Sequence, residues 1–137
     1  MPLPQLSEIL DDYELLDRED RYRLLIDLGR KLEPMPEALK TDASKVRSCS
    51  ADVWVYPTEA DGRLHFLADS NAAITKGIVA LVLSAVQDRP AADVARMDIG
   101  EALAPFELSK HLSANRTQGV PNMIALVKQT AERYAAA

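Results

Sequence analysis

The chain has 137 residues, 47% of them hydrophobic and 27% charged, with five glycines and eight prolines, the make-up of an ordinary globular protein expected to form one domain over 1–137. Its 16 basic residues are scattered among 21 acids for a net charge of -5, which excludes the clustered basic face of a nucleic-acid binder. The longest apolar run, 78–86 (IVALVLSAV), falls short of the roughly 18 to 20 residues that cross a bilayer, and no leader pattern opens the chain, so the expected location is the cytoplasm, with no membrane contact.

Leu6, Ile9, Leu10, Tyr13 and Leu16 recur at the spacing of one helical face and predict a first helix. Asp17 is placed to cap a second, in which Tyr22, Leu25, Ile26, Gly29 and Leu32 share a face. Glu19 and Asp20 would sit in its first turn and Arg30 and Lys31 in its last, with Pro34 and Pro36 ending it. Residues 37–44 are polar and weakly patterned, a connector. Residues 52–56 (DVWVY) and 63–68 (RLHFLA) read as an antiparallel hairpin turned by 57–62, with Asp61-Gly62 at its end. Val53 and Val55 alternate with Trp54 and Tyr56, so both faces of the sheet carry apolar weight. Ser70 or Asn71 is expected to cap a central apolar helix over 72–87. Pro90 opens a short helix, Asp98 caps another that stops near Pro105, and Val120, Met123, Ile124, Val127, Ala131 and Tyr134 mark a last helix that starts or kinks at Pro121. These elements make an α+β fold, helices packed on a small antiparallel β-sheet.

Candidate chemistry centres on Cys49, the sole cysteine. Cys49, His65 and His111 are too widely separated for a zinc or cluster site, so no metal is expected, and no phosphate-binding glycine loop or serine-nucleophile elbow is present. Neither histidine is spaced as the base of a cysteine protease, and both read as surface or edge residues. Two readings of Cys49 stand side by side. Free cysteine commonly packs as a small hydrophobe. Against that, Ser48-Cys49-Ser50 is a small polar tripeptide at a strand entrance, with Lys45 and Arg47 close enough in sequence to lower a thiol pKa and Asp52 pulling the other way. Arg116, in SANRTQG, reads as a surface arginine or as a charge partner for another loop.

Four blocks carry a resemblance. LIDLGRKL (25–32), VRSCSADVW (46–54), ADSNAAITKGIVA (68–80) and HLSANRTQGVPNM (111–123) are similar, in order and spacing, to the SufE-like sulfur acceptors of iron-sulfur cluster biogenesis. The family pattern around the acceptor thiol is V-x-G-C-x-S-x-V-W; Cys49 falls on its cysteine, while Ser48 replaces the glycine and Ala51 the serine. Asp69-Ser70-Asn71-Ala72, Lys76-Gly77 and Arg116 with Gly119 match its other motifs. The resemblance implies a small antiparallel sheet with helices mainly on one side and the thiol in a loop at the sheet's end. It implies an accessory protein, not an enzyme, whose Cys49 takes persulfide sulfur from a cysteine desulfurase, stimulates that enzyme and relays the sulfur to an iron-sulfur scaffold. Arg47, Ser50, Asp52, Asn71 and Arg116 would support the thiol or dock the partner. No cofactor is expected on this chain, pyridoxal phosphate belonging to the desulfurase, and the expected state is a monomer or weak dimer. A single cysteine argues against the scaffold role. The alternatives are a desulfurase-regulating binding module in which Cys49 only packs, and a thiol redox sensor. The departures at Ser48 and Ala51 are expected to alter rate or partner choice before they abolish function.

Overall fold

The computed structural model describes residues 3–47 and 51–136. Helix α1 (Leu6–Leu15) buries Ile9 and Tyr13 and gives way at Leu16 to α2 (Arg18–Gly29). The Asp17 carboxylate accepts from the Asp20 amide, satisfying a donor that the helix start leaves free. Helix α2 ends at Gly29, well before Pro34, so Arg30 and Lys31 lie beyond its last turn rather than inside it. Tighter bonds from Lys31 to Leu28 and from Leu32 to Gly29 close that end and carry Leu32 into the core, where Leu28 joins Leu25 as an anchor.

The hairpin consists of β1 (Val53–Ala60) and β2 (Arg63–Ser70), paired from Val53 opposite Ser70 to Ala60 opposite Arg63. The turn is only Asp61-Gly62, with φ of 55° and 76°, the positive values that a tight hairpin needs. The longer turn expected over 57–62 is corrected: the strand runs through Pro57. Pro57 lies opposite Phe66, whose amide and carbonyl face away from β1 and are both bonded by the Gln87 carboxamide, at 2.7 and 2.8 Å. A missing N–H on this edge strand therefore removes no ladder bond.

Helix α3 (Ala73–Val86) lies under the sheet with eleven of its fourteen residues buried. Its cap differs from expectation. Ala72 is the N-cap with no side-chain bond, because Ser70 turns to the Ala72 amide and Asn71 reaches across to Asp52. Past Asp88, whose φ of 60° reverses the chain, β3 (Arg89–Pro90) pairs with Arg63 and Leu64. This third strand was not foreseen; two residues carry no periodicity, and Pro90 is the N-cap of α4 (Ala91–Arg96), not its first residue. Asp98 caps α5 (Ile99–Leu103) through the Glu101 amide, and a 3₁₀ turn over Ala104–Phe106 buries Phe106 edge-on against Tyr13, ring centroids 5.0 Å apart. The short α6 (Leu108–His111) and α7 (Ala114–Thr117), also unforeseen, lead into α8 (Val120–Ala136), which buries Met123, Val127, Thr130 and Ala131.

Helices and sheet share one hydrophobic core, and the α+β expectation holds. Helices cover the face with Val53, Val55, Leu64, Phe66 and Ala68. The opposite face is crossed by the connector after α2. Lys40 pairs with Asp69 at 2.7 Å and lies 5.6 Å over the Trp54 ring, and Glu33 reaches His65 at 3.3 Å. Tyr56 on that face stays 39% exposed. Among the described residues no helix is long and apolar enough to cross a membrane.

Candidate functional site

The outer edge of β1 is occupied at its start by the residues that lead into the cysteine tripeptide. The Val46 amide donates to the Val53 carbonyl and the Val55 amide to the Ser44 carbonyl, both at 2.8 Å, with Lys45 bridging Trp54. Val46 and Val53 are thus tied to each other, and the sequence RSCSAD lies between them. Ser48, Cys49 and Ser50, two of them expected site residues, lie outside the described residues. The stems on either side are described, and distant parts of the chain fix both.

On the Asp52 side, Asn71 makes three bonds. Its Oδ1 accepts from the Asp52 amide at 3.1 Å, its Nδ2 donates to Asp52 Oδ2 at 3.3 Å, and its own amide donates to the Asp52 carbonyl at 3.3 Å. The other oxygen of Asp52 takes Lys45 Nζ at 2.9 Å, and this hydrogen bond, with the carboxylate charge, raises the Lys45 pKa above its ordinary value. The Asp52 charge expected to oppose a thiolate is therefore paired. On the Arg47 side, Asn122 in the first turn of α8 donates Nδ2 to the Arg47 carbonyl at 3.1 Å. Nothing near position 47 in the sequence foretells Asn122; it lies 75 residues downstream.

Beneath the stems is a cavity of about 10 Å³, room for about one water, whose walls include Ala51, Thr75, Ile78, Arg116, Gly119 and Met123. Arg116 and the 46–54 block, matched separately in the sequence, thus meet at this cavity. The Arg116 guanidinium donates to the Tyr22 hydroxyl and lies 5.3 Å from the centre of its ring. Arg47 is exposed beside this region, and Ala51 is half-buried.

Next to Asn71, Asp69 sits between Lys40 and Lys76, at 2.7 and 3.2 Å. Burial pushes its pKa up, but hydrogen bonds from Lys40, the Ser70 amide and Lys76 outweigh this and hold it below the usual carboxylate range. The end of β2 is thereby fastened both to the connector and to α3. The histidines are engaged elsewhere. His65 Nδ1 meets Asp88 at 2.8 Å and Nε2 meets Glu33 at 3.3 Å; His111 Nε2 faces Arg21 at 3.1 Å and its ring edges Tyr13. Among the described residues, no group of three or more His, Cys, Asp or Glu is arranged to hold a metal ion.

The model of the SufE family, the Fe-S metabolism associated domain, matches residues 7–131. The chain belongs to the SufE family. An uncharacterised SufE-like protein of Rhizobium meliloti is 38% identical over 136 residues, covering 95% of this chain and 96% of its own. One from Rhizobium etli is 36% identical over 140 residues, covering 98% of this chain and 95% of its own. A solution structure of a hypothetical protein from Thermus thermophilus aligns over 100% of both chains with a TM-score of 0.78 at 16% identity, a likeness of fold. Membership in this family assigns the chain a role in iron-sulfur metabolism.

Proposed function

We propose that the protein is a sulfur acceptor whose reactive group is Cys49. A partner cysteine desulfurase carries a persulfide, its pyridoxal phosphate belonging to that enzyme and not to this chain. The Cys49 thiolate attacks the outer sulfur of this persulfide, a bond forms between the two sulfurs, the sulfur-sulfur bond on the desulfurase breaks, and the desulfurase thiolate leaves. The same exchange in the next step passes the sulfur to an iron-sulfur scaffold. Thiol exchange needs an exposed approach line and a thiolate, not a resident metal or a protein base within the chain. The sole cysteine leaves no second thiol in the chain to resolve the persulfide into an internal disulfide.

The observation that carries this reading is the pairing of Val46 with Val53 around the sequence RSCSAD, in a chain of this family. It brings together the two stems on either side of Cys49 in the sequence, and Asn71 and Asn122 bond those stems. In this reading Asp52 and Asn71 position the stem after the cysteine segment, and Arg47 and Arg116 meet the desulfurase or favour the thiolate. Arg116 is supported by its place at the cavity that Ala51 also lines.

The test is desulfurase turnover with and without the protein. Wild type is expected to stimulate alanine release, and Cys49→Ser, nearly isosteric, to fold and to lose most of the stimulation. A Cys49→Ser protein that stimulates fully would replace the acceptor with a module acting through surface contact alone.

A further inference from the structure

Away from the cysteine segment, α1 and α2 enclose a groove of about 610 Å³ with Ile9, Leu24 and Leu28 in its floor. On α2, Asp20, Arg23, Leu24, Asp27 and Leu28 follow one another at helical spacing along one face, with Lys31 just beyond the helix end. Tyr22, which receives Arg116, points from the opposite face of α2. The groove rim is acidic. Glu8, Asp12, Asp20 and Asp27 line it against Arg23 and Lys31; Arg23 is already paired with Glu19 and Asp20, and Asp27 with Arg30, which leaves Glu8 and Asp12 as its unpaired acids among the described residues. Just outside it on α1, one turn past Asp12, Leu15 is 86% exposed, the most exposed large hydrophobic side chain among the described residues.

We propose that this groove docks a short basic amphipathic helix of a partner protein, its apolar side chains on Leu16 and Leu24, the half-buried leucines that line it, beside Leu15, and its lysines or arginines on Glu8 and Asp12. Helix-in-groove recognition takes apolar anchors at i, i+3 or i+4 and i+7, a run of two to three turns. From Asp20 to Leu28 the α2 face provides about two and a half turns of matching length. Charge complementarity chooses the sign of the partner: Glu8 and Asp12, against Lys31 as the single unpaired base among the described residues of the rim, repel an acidic helix and steer a basic one. Because the groove lies on the far side of α2 from Tyr22, an occupant there does not meet the Tyr22–Arg116 pair. The inference stands independently of sulfur transfer.

The experiment titrates the full-length protein with a labelled leucine-lysine peptide carrying leucine at i, i+3, i+4 and i+7, followed by anisotropy and by methyl chemical shifts. Saturable binding with the largest shifts at Leu15, Leu16 and Leu24 is expected. The double variant E8K/D12K should bind about tenfold more weakly. Leu15→Ser should lose about threefold, a change at an exposed site that leaves the core intact. The control E59K/E132K changes net charge equally on another surface and should bind within about twofold of wild type. Equal weakening by both double variants, shifts centred elsewhere, or no saturable binding would overturn the proposal.

Discussion

The two ends of the β1–β2 hairpin are built by different means. At the far end, Asp61-Gly62 turns the chain with its own backbone; a Cβ placed on Gly62 would meet nothing within 4 Å, so only its φ of 76° sets the residue type. At the near end, the chain ahead of β1 is held by bonds from Asn71 and Asn122, distant in sequence. A turn specified by local chemistry keeps its shape whatever packs around it. Stems that depend on remote side chains answer to substitutions far from them in the sequence. The difference separates what shapes the fold from what tunes the site.

The largest effect is expected where α2 meets α3, outside the hairpin. A Cβ on Gly77 would lie 2.1 Å from the Leu25 carbonyl oxygen, a clash with backbone that no rotamer relieves. Gly77→Ala should cost about 3 kcal/mol or more in urea unfolding, and a loss under about 1 kcal/mol would show that the helices separate without penalty. At the turn, Gly62→Ala should cost about 1 kcal/mol, read from thermal melts, and leave sulfur acceptance unchanged. A large change in acceptance would mean that the two ends are coupled after all.

At the near end, Asn71→Ala should cost about 1 kcal/mol and speed hydrogen exchange at the Asp52 amide, which loses its acceptor. Asn122→Ala, removing a single exposed bond to Arg47, should cost about 0.5 kcal/mol. Unaltered exchange at Asp52 in Asn71→Ala would remove the clamp from the account. The smallest effect concerns His65, on the sheet face away from the helices. Burial of its ring opposes the charge, but the hydrogen bond and charge of Asp88, with those of Glu33, raise its pKa above the ordinary value. The protonated ring therefore adds stability that is fully present below the unfolded pKa of about 6.5 and is lost as pH rises through the higher folded value. Wild type should exceed His65→Gln in urea midpoint at about pH 6 and lose that margin by about pH 8.5; a pH-independent gap would contradict the pairing.

The helices were legible where periodicity and caps coincide. Asp17 and Asp98 cap as their positions predict, because an Asx side chain reaches an amide three residues ahead regardless of tertiary context. Asn71 failed as a cap for the complementary reason: its carboxamide had a better use across the hairpin, visible only once Asp52 lay opposite. Pro57 falls at the start of the expected turn over 57–62, because the edge position and the Gln87 side chain that admit it to the strand are properties of the sheet. Of the expected site residues, Arg47, Asp52, Asn71 and Arg116 border the cysteine segment or its cavity, whereas Cys49 and Ser50 lie outside the described residues. Asn122 carried no local signal at all.

The central claim is that Cys49 takes up sulfur, and intact-protein mass spectrometry addresses it most directly. After incubation with a cysteine desulfurase and cysteine, followed by removal of the enzyme, the wild-type chain is predicted to gain the mass of one sulfur. That gain should map to the peptide containing Cys49, vanish with a thiol reductant and be absent in Cys49→Ser. A wild-type chain that stays at its original mass while the desulfurase turns over, or gains only oxygen under peroxide, would contradict the account.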